Sequence, residues 1–201
     1  MTTLVALHQP GFGTVIGSDR MASNMSMKHF MPGGKWVVGN GWAIGAAGNY
    51  LTNVLITQHI RNLTVELDDV ADLASRLTQM MKEAGYNTMN EDNGPPLFGQ
   101  NFLAATVDGV WDIDGSMAYM QGEPGQLVAA GSGEHFALGA GFANGRKKPI
   151  ERVEEALRAA LQFDTFSGGE PWIAVMRPEK EKRRKDVPIT QVTVATSVST
   201  E

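Results

Sequence analysis

The chain has 201 residues and a net charge of −5, is 42% hydrophobic and 19% charged, and contains no cysteine. That length suits one domain with a sizeable core, and the composition is that of an ordinary soluble globular protein. The missing cysteines exclude a disulfide framework, a thiol nucleophile and a thiolate metal site. The acidic balance argues against nucleic acid as a main partner, and no apolar run approaches the roughly 18 residues of a membrane span. With no basic-then-apolar leader segment either, these features predict no membrane association and a reducing cytoplasm as the home of the protein.

In chain order, apolar runs predict strands over Thr2–Leu7, Thr14–Gly17, Lys35–Val38 and Trp42–Ala46. The last two are joined by Gly39-Asn40-Gly41, a tight-hairpin signal because Asn and Gly tolerate positive φ. Two helical patterns follow. One carries Leu51, Val54, Leu55, Ile60 and Leu63, and the other Val70, Leu73, Leu77, Met80, Met81 and Ala84, capped by Asp68 or Asp69. Asn87 to Gln100 is polar and broken by Gly and Pro, which predicts a loop. Strands resume over Phe102–Val107, Val110–Ile113, Ser116–Met120 and Gln126–Ala130, with a turn at Asp108-Gly109. Helices are predicted from Glu134 to Phe142 and from Pro149, which suits a first helical turn, to Gln162. A strand over Trp172–Met176 precedes the charged run Glu179–Asp186, and Val192–Ser199 reads as an added edge strand or a disordered tail.

Strands, two helices, strands, two helices and a strand occur in segregated blocks, which predicts an α+β fold. Helices after each block can cover the outer faces of two stacked antiparallel sheets, giving a four-layer αββα sandwich. The domain is expected over residues 1–177, with 178–201 a charged segment and tail.

Thr2 stands directly behind Met1 and opens the first strand. A threonine hydroxyl is a weak nucleophile without a base beside it. Once Met1 is removed, the α-amine of Thr2, with a reference pKa of roughly 7.7–8, is such a base.

The motifs around Thr2 resemble those of the proteasome β-subunit family and its bacterial relatives, the N-terminal-nucleophile threonine peptidases. Thr2-Thr3-Leu4-Val5-Ala6 resembles the opening strand of the family, and Gly17-Ser18-Asp19-Arg20 its Gly-x-Asp-x-Arg turn. Lys35, sixteen residues after Asp19, matches the lysine of the family. Ala43-Ile44-Gly45-Ala46-Ala47-Gly48 resembles the glycine-rich strand end that supplies an oxyanion-binding N–H. Gly131-Ser132-Gly133 and Asp164-Thr165-Phe166-Ser167-Gly168-Gly169 match the serine turn and the Asp-x-x-Ser-Gly-Gly motif. The likeness spans residues 2 to 177.

The resemblance implies Thr2 as nucleophile and Lys35 as a positive charge beside it, paired with Asp19. It implies Ser132, Asp164 and Ser167 as a network around the amine, and Gly48 as oxyanion donor. Met21, Ala22, Ser23, Val37 and Ala46 are implied as lining for an apolar side chain of a polypeptide substrate. It further implies a homo-oligomeric ring, admits an ATPase regulator, and calls for no cofactor or metal. The single methionine before the threonine implies activation by an aminopeptidase.

Bland readings stand beside these. Asp19 alone reads as a turn residue, Ser132 as part of a glycine turn, and Asp164 with Ser167 as a helix-end cap. Lys28 competes with Lys35, because both lie between the second and third predicted strands and Met31-Pro32-Gly33-Gly34 reads as an insertion. Gly139 and Gly141 lack the strand and spacing of a phosphate loop, the four histidines form no ligand pair, and the eleven methionines read as core filler. Two other functions remain open: a non-catalytic ring or scaffold subunit, and an amidohydrolase using the same chemistry on small amides.

Overall fold

A computed structural model describes residues 2–23, 27–39, 41–58, 69–86, 98–178 and 192–194. The chain begins with the antiparallel strands β1 (Thr3–Gln9) and β2 (Gly13–Ser18), then the short hairpin β3 (Met21–Ser23) and β4 (Lys28–Phe30). Strands β5 (Trp36–Gly39) and β6 (Trp42–Ala47) lead to helices α1 (Tyr50–Ile56) and α2 (Val70–Glu83). The second half contains β7 (Asn101–Thr106), β8 (Gly109–Ile113), β9 (Tyr119–Gln121) and β10 (Leu127–Gly131), then α3 (Glu134–Ala143), α4 (Pro149–Phe163), β11 (Trp172–Met176) and β12 (Val192–Val194).

Two five-stranded sheets form, in the orders β10-β1-β2-β11-β12 and β5-β6-β7-β8-β9, and β3-β4 stands apart. Every strand pairing among the described residues is antiparallel. Alternation along the strands sorts their side chains into three apolar cores. Leu4, Ala6, Ile16 and Ala174 of the first sheet meet Trp36, Ala43, Leu103 and Ala105 of the second. The opposite face of the first sheet, with Val5, Leu7, Val15 and Val175, packs on Ala137 of α3 and Val153, Ala156, Leu157 and Ala160 of α4. The opposite face of the second, with Ile44, Ala46, Phe102 and Ile113, packs on Ile56 of α1 and Leu73, Leu77 and Met81 of α2.

The helices form where period and caps agree. Asp69, one of the two expected caps, accepts the Asp72 N–H at 2.9 Å and starts α2, whose buried residues recur at helical spacing. Pro149 opens α4. One expectation is corrected. The strand expected over Ser116–Met120 starts only at Tyr119, because Asp114 Oδ1 accepts the N–H and hydroxyl of Ser116 (2.7 and 2.6 Å) and folds that stretch into a turn. The hairpin β3-β4, unforeseen in the sequence, fills the stretch after Asp19. Asn40, Ile60, Leu63, the 87–97 stretch, the charged run 179–186 and residues 195–199 lie outside the described residues.

Candidate active site

Antiparallel pairing of β1 with β2 and β10 brings three distant motifs to one end of the first sheet. Leu4 pairs with Ser18, and Thr3 with Gly131, so Thr2 lies between the Asp19 and Ser132 turns. Its carbonyl accepts the Ser132 N–H at 2.9 Å. Thr2 is 4% exposed, and its hydroxyl Oγ1 lies 3.2 Å from Lys35 Nζ.

Lys35 sits just before β5, fixed there by its own N–H, which donates to Ser18 Oγ at 2.9 Å. Its ammonium also donates to Asp19 Oδ1 at 2.7 Å. Asp19 is fully buried and gathers the surrounding backbone: Oδ1 accepts the Thr3 N–H at 2.9 Å, and Oδ2 the N–H groups of Met21 and Gly168 at 3.0 and 3.4 Å. Burial lowers the Lys35 pKa from its ordinary 10.5, opposed by the charge and hydrogen bond of Asp19 and by the charge of Asp164. The rival Lys28 is exposed on β4.

A second carboxylate lies on the other side of Thr2. Asp164, at the C-cap of α4, accepts Ser132 Oγ–H at 2.7 Å and Ser167 Oγ–H at 2.6 Å on Oδ2, and the Phe166 N–H at 3.1 Å on Oδ1. Ser167 also meets Thr3 Oγ1 at 2.6 Å. Since the single proton of Ser167 goes to the carboxylate, Thr3 is the donor in that contact. Burial pushes the Asp164 carboxyl up, but the hydrogen bonds from Ser167, Ser132 and Phe166 outweigh it and leave the pKa below its ordinary 3.8.

Gly48 follows the last residue of β6, with φ at +149°, a conformation open to glycine and poorly tolerated elsewhere. A Cβ there would overlap the side-chain amide of Gln100. Among the described residues no group of three or more acidic or histidine side chains is placed to hold a metal, and no helix is long and apolar enough to cross a membrane.

No protein-family model matches the sequence, and no curated protein matches it either. Solved structures do match. Thiobacillus denitrificans BPH superposes with a TM-score of 0.75 at 20% identity, over 88% of this chain and 98% of that one. The fold is proteasome-like. The same bacterial protein in complex with epoxomicin gives 0.73 at 19% identity, over 88% and 98%. Eukaryotic HslV from Trypanosoma brucei gives 0.61 at 20%, over 86% of this chain and 97% of that one.

Within this proteasome-like fold the residues expected to line a substrate site divide. Ala22 is half-buried and Ser23 exposed on β3. Met21 is 2% exposed and packs toward Gly168, which makes it floor rather than surface. Ala46 is buried. Strand alternation turns its side chain, 1% exposed, toward α1 and α2, the side to which the half-buried Val37 also points, while Ala47 faces the sheet–sheet side next to Gly131. A cleft of about 360 Å³ opens beside Lys35 between β5 and α1, with Val37, Asn53, Val54 and Trp172 among its walls.

Four contributors escaped the sequence reading. Ser18 anchors the Lys35 backbone, and Thr3 joins the Asp164 network. Asn53 brackets Ala46, accepting its N–H and donating to its carbonyl, each at 3.3 Å. Gln100 Oε1 accepts the Asn49 N–H at 2.8 Å. Ser18 and Thr3 stand inside the quoted motifs and were findable there; Asn53 and Gln100 carry no local signal.

Proposed function

We propose that this chain is a threonine-type endopeptidase whose nucleophile is Thr2, freed by removal of Met1, in a domain over residues 1–177 built as a four-layer αββα sandwich. The observation that carries the reading is the Lys35 ammonium, 3.2 Å from Thr2 Oγ1 and held on the buried Asp19. A bare turn motif has no need of a buried lysine aimed at a threonine hydroxyl.

In this reading the α-amine of Thr2 takes the hydroxyl proton as Oγ1 attacks the scissile carbonyl. Lys35 stabilises the developing alkoxide, and its burial-lowered pKa brings it nearer to the range in which a proton can be exchanged. The Gly48 N–H receives the oxyanion of the tetrahedral intermediate. The amine then returns the proton to the leaving nitrogen, and an acyl ester remains on Thr2. Water, deprotonated by the same amine, hydrolyses that ester. Asp164 with Ser132 and Ser167 orients the amine and relays protons through a water. The cleft beside Lys35 takes the apolar side chain before the scissile bond, against Val37, Val54 and Trp172. The fold shared with BPH and HslV supports a ring-shaped homo-oligomer as the working form, which native mass spectrometry would test.

The deciding experiment is intact mass after incubation with a peptide epoxyketone such as epoxomicin, which one structural neighbour binds. A stable adduct on this warhead needs a nucleophilic hydroxyl and its adjacent free amine. An adduct mapped to Thr2 on a chain lacking Met1 supports the reading. A chain that retains Met1 after aminopeptidase treatment and stays unmodified sinks it in favour of a scaffold subunit, and cleavage of small amides without peptides would favour the amidohydrolase.

A further inference from the structure

Pairing between β6 and β7 ends at Ala47 and Asn101. One residue further, where the ladder would join Gly48 to Gln100, a side chain takes over. Gln100 Oε1 accepts the N–H of Asn49 at 2.8 Å, and the Gln100 amide fills the space where a Cβ on Gly48 would stand. Gln100, whose side chain closes this loop, is buried, 7% exposed. Its backbone is anchored as well: two residues earlier Phe98 is buried against the helix core, and its N–H donates to Gly115 O at 2.9 Å.

The far side of the loop is held independently. Asn49 caps α1, accepting the Leu51 N–H on Oδ1 at 3.0 Å, and Asn53 from the same helix brackets the Ala46 peptide. Gly48 is thus suspended between a strand end fixed by Asn53 and a cap residue fixed by Gln100. With φ at +149° and no side chain of its own, it has no means of holding its peptide in place.

We infer that Gln100 is a positioning residue for Gly48: by accepting the Asn49 N–H it fixes the peptide after Gly48, and with the Ala46 end held by Asn53 this restricts the turning of the peptide before it, whose N–H receives the oxyanion. The inference rests on the reading of Gly48 as oxyanion donor. It gives a role to the end of the Asn87–Gln100 stretch, for which the family resemblance supplied none. An N–H aimed at a developing charge acts only if its direction is fixed before the reaction, and a shift of about 1 Å is enough to lower a rate roughly 100-fold. Substrate binding, in contrast, draws on many contacts and is little affected by one peptide.

The test uses the full chain after Met1 removal, with Gln100→Met, which keeps length and loses the acceptor, and the milder Gln100→Asn, which retracts it. Peptide turnover, inhibition by a peptide aldehyde and amide hydrogen exchange across residues 46–51 are measured together. The aldehyde forms a hemiacetal on Thr2 whose oxygen occupies the oxyanion position. The expected result for Q100M is a kcat reduced roughly 10- to 100-fold with KM little changed, a parallel weakening of the aldehyde, and faster exchange at Asn49. Q100N should fall between wild type and Q100M, and it carries the test should Q100M not fold.

A Thr2-dependent wild type whose Gln100 variants keep kcat and aldehyde affinity, or lose activity through KM alone, overturns the inference and leaves the proposed activity standing. A wild type that cleaves nothing, or still cleaves as Thr2→Ala, removes both together.

Discussion

The Lys35 ammonium and the Asp19 carboxylate form an ion pair of 2.7 Å whose side chains are 2% and 0% exposed. Two charges so far from water do not hold a fold together by attraction alone, because desolvation offsets much of what the pair gains. Asp19 is retained by more than Lys35: three backbone N–H groups, from Thr3, Met21 and Gly168, also converge on it. The asymmetry makes a prediction. Asp19→Ala leaves a buried ammonium and those donors without their carboxylate and should destabilise by about 3–5 kcal/mol. Lys35→Met leaves Asp19 its backbone donors and should destabilise less, while both abolish peptide cleavage. Chemical denaturation of the two variants checks the order; equal losses would mean that the backbone donors contribute nothing.

The position of Lys35 depends in turn on a glycine. A Cβ at Gly34 would overlap the ring of Trp172, the first residue of β11. Gly34→Ala should therefore destabilise by roughly 1–3 kcal/mol through overpacking and push the next residue, Lys35, away from Thr2. Restoring room with Gly34→Ala/Trp172→Phe should recover part of the stability and activity. Thermal melts and peptide turnover read both, and a G34A enzyme of wild-type activity would show that Lys35 is placed by Ser18 and Asp19 alone.

Much of this arrangement is legible in the sequence because motif and element coincide. Asp19, Ser132 and Asp164 each stand at a strand or helix end, where turn chemistry marks them, and the amphipathic periods of α2 and α4 announce which faces are buried. The hairpin β3-β4 is illegible because its strands are three residues long and β4 is exposed throughout, so no alternation betrays it. The orientation of Ala46 is another such case. Trp42, Ile44 and Ala46 share one face of β6 and Ala43 and Ala47 the other, but only the partners show that the first face meets the helices and the second the opposite sheet. Gln100 meets Asn49 across 51 positions of sequence, a contact that exists only once β6 and β7 pair.

Asp112 shows the opposite of a satisfied carboxylate. Burial raises its pKa from the ordinary 3.8, and the charges of Glu134 and Asp114 add to the effect. A carboxyl that holds its proton more tightly folded than unfolded weakens the fold above its folded pKa, and the penalty disappears below 3.8. Asp112→Asn should raise the melting temperature by a few degrees at neutral pH and leave it unchanged in acid. Melting curves at both pH values decide, and a variant less stable at neutral pH would mean that the charge is engaged by a donor.

For Asp164 the sign reverses, and stability and rate answer separately. Its pKa is lowered, so it contributes stability that is fully present above pH 3.8 and is lost as pH falls through the lower folded value. Asp164→Asn should be less stable than wild type at neutral pH, the gap closing in strong acid. Activity should fade at far higher pH, because the proposed base is the Thr2 amine, whose reference pKa is roughly 7.7–8. A carboxylate in its neighbourhood favours the protonated amine, which is the form that cannot accept a proton from the hydroxyl. Neutralising Asp164 should therefore shift the acid limb of kcat/KM toward lower pH while reducing its plateau, because the hydroxyl network loses its charged acceptor. An acid limb that stays in place in Asp164→Asn would confine this carboxylate to holding Ser132 and Ser167, with no electrostatic influence on the base.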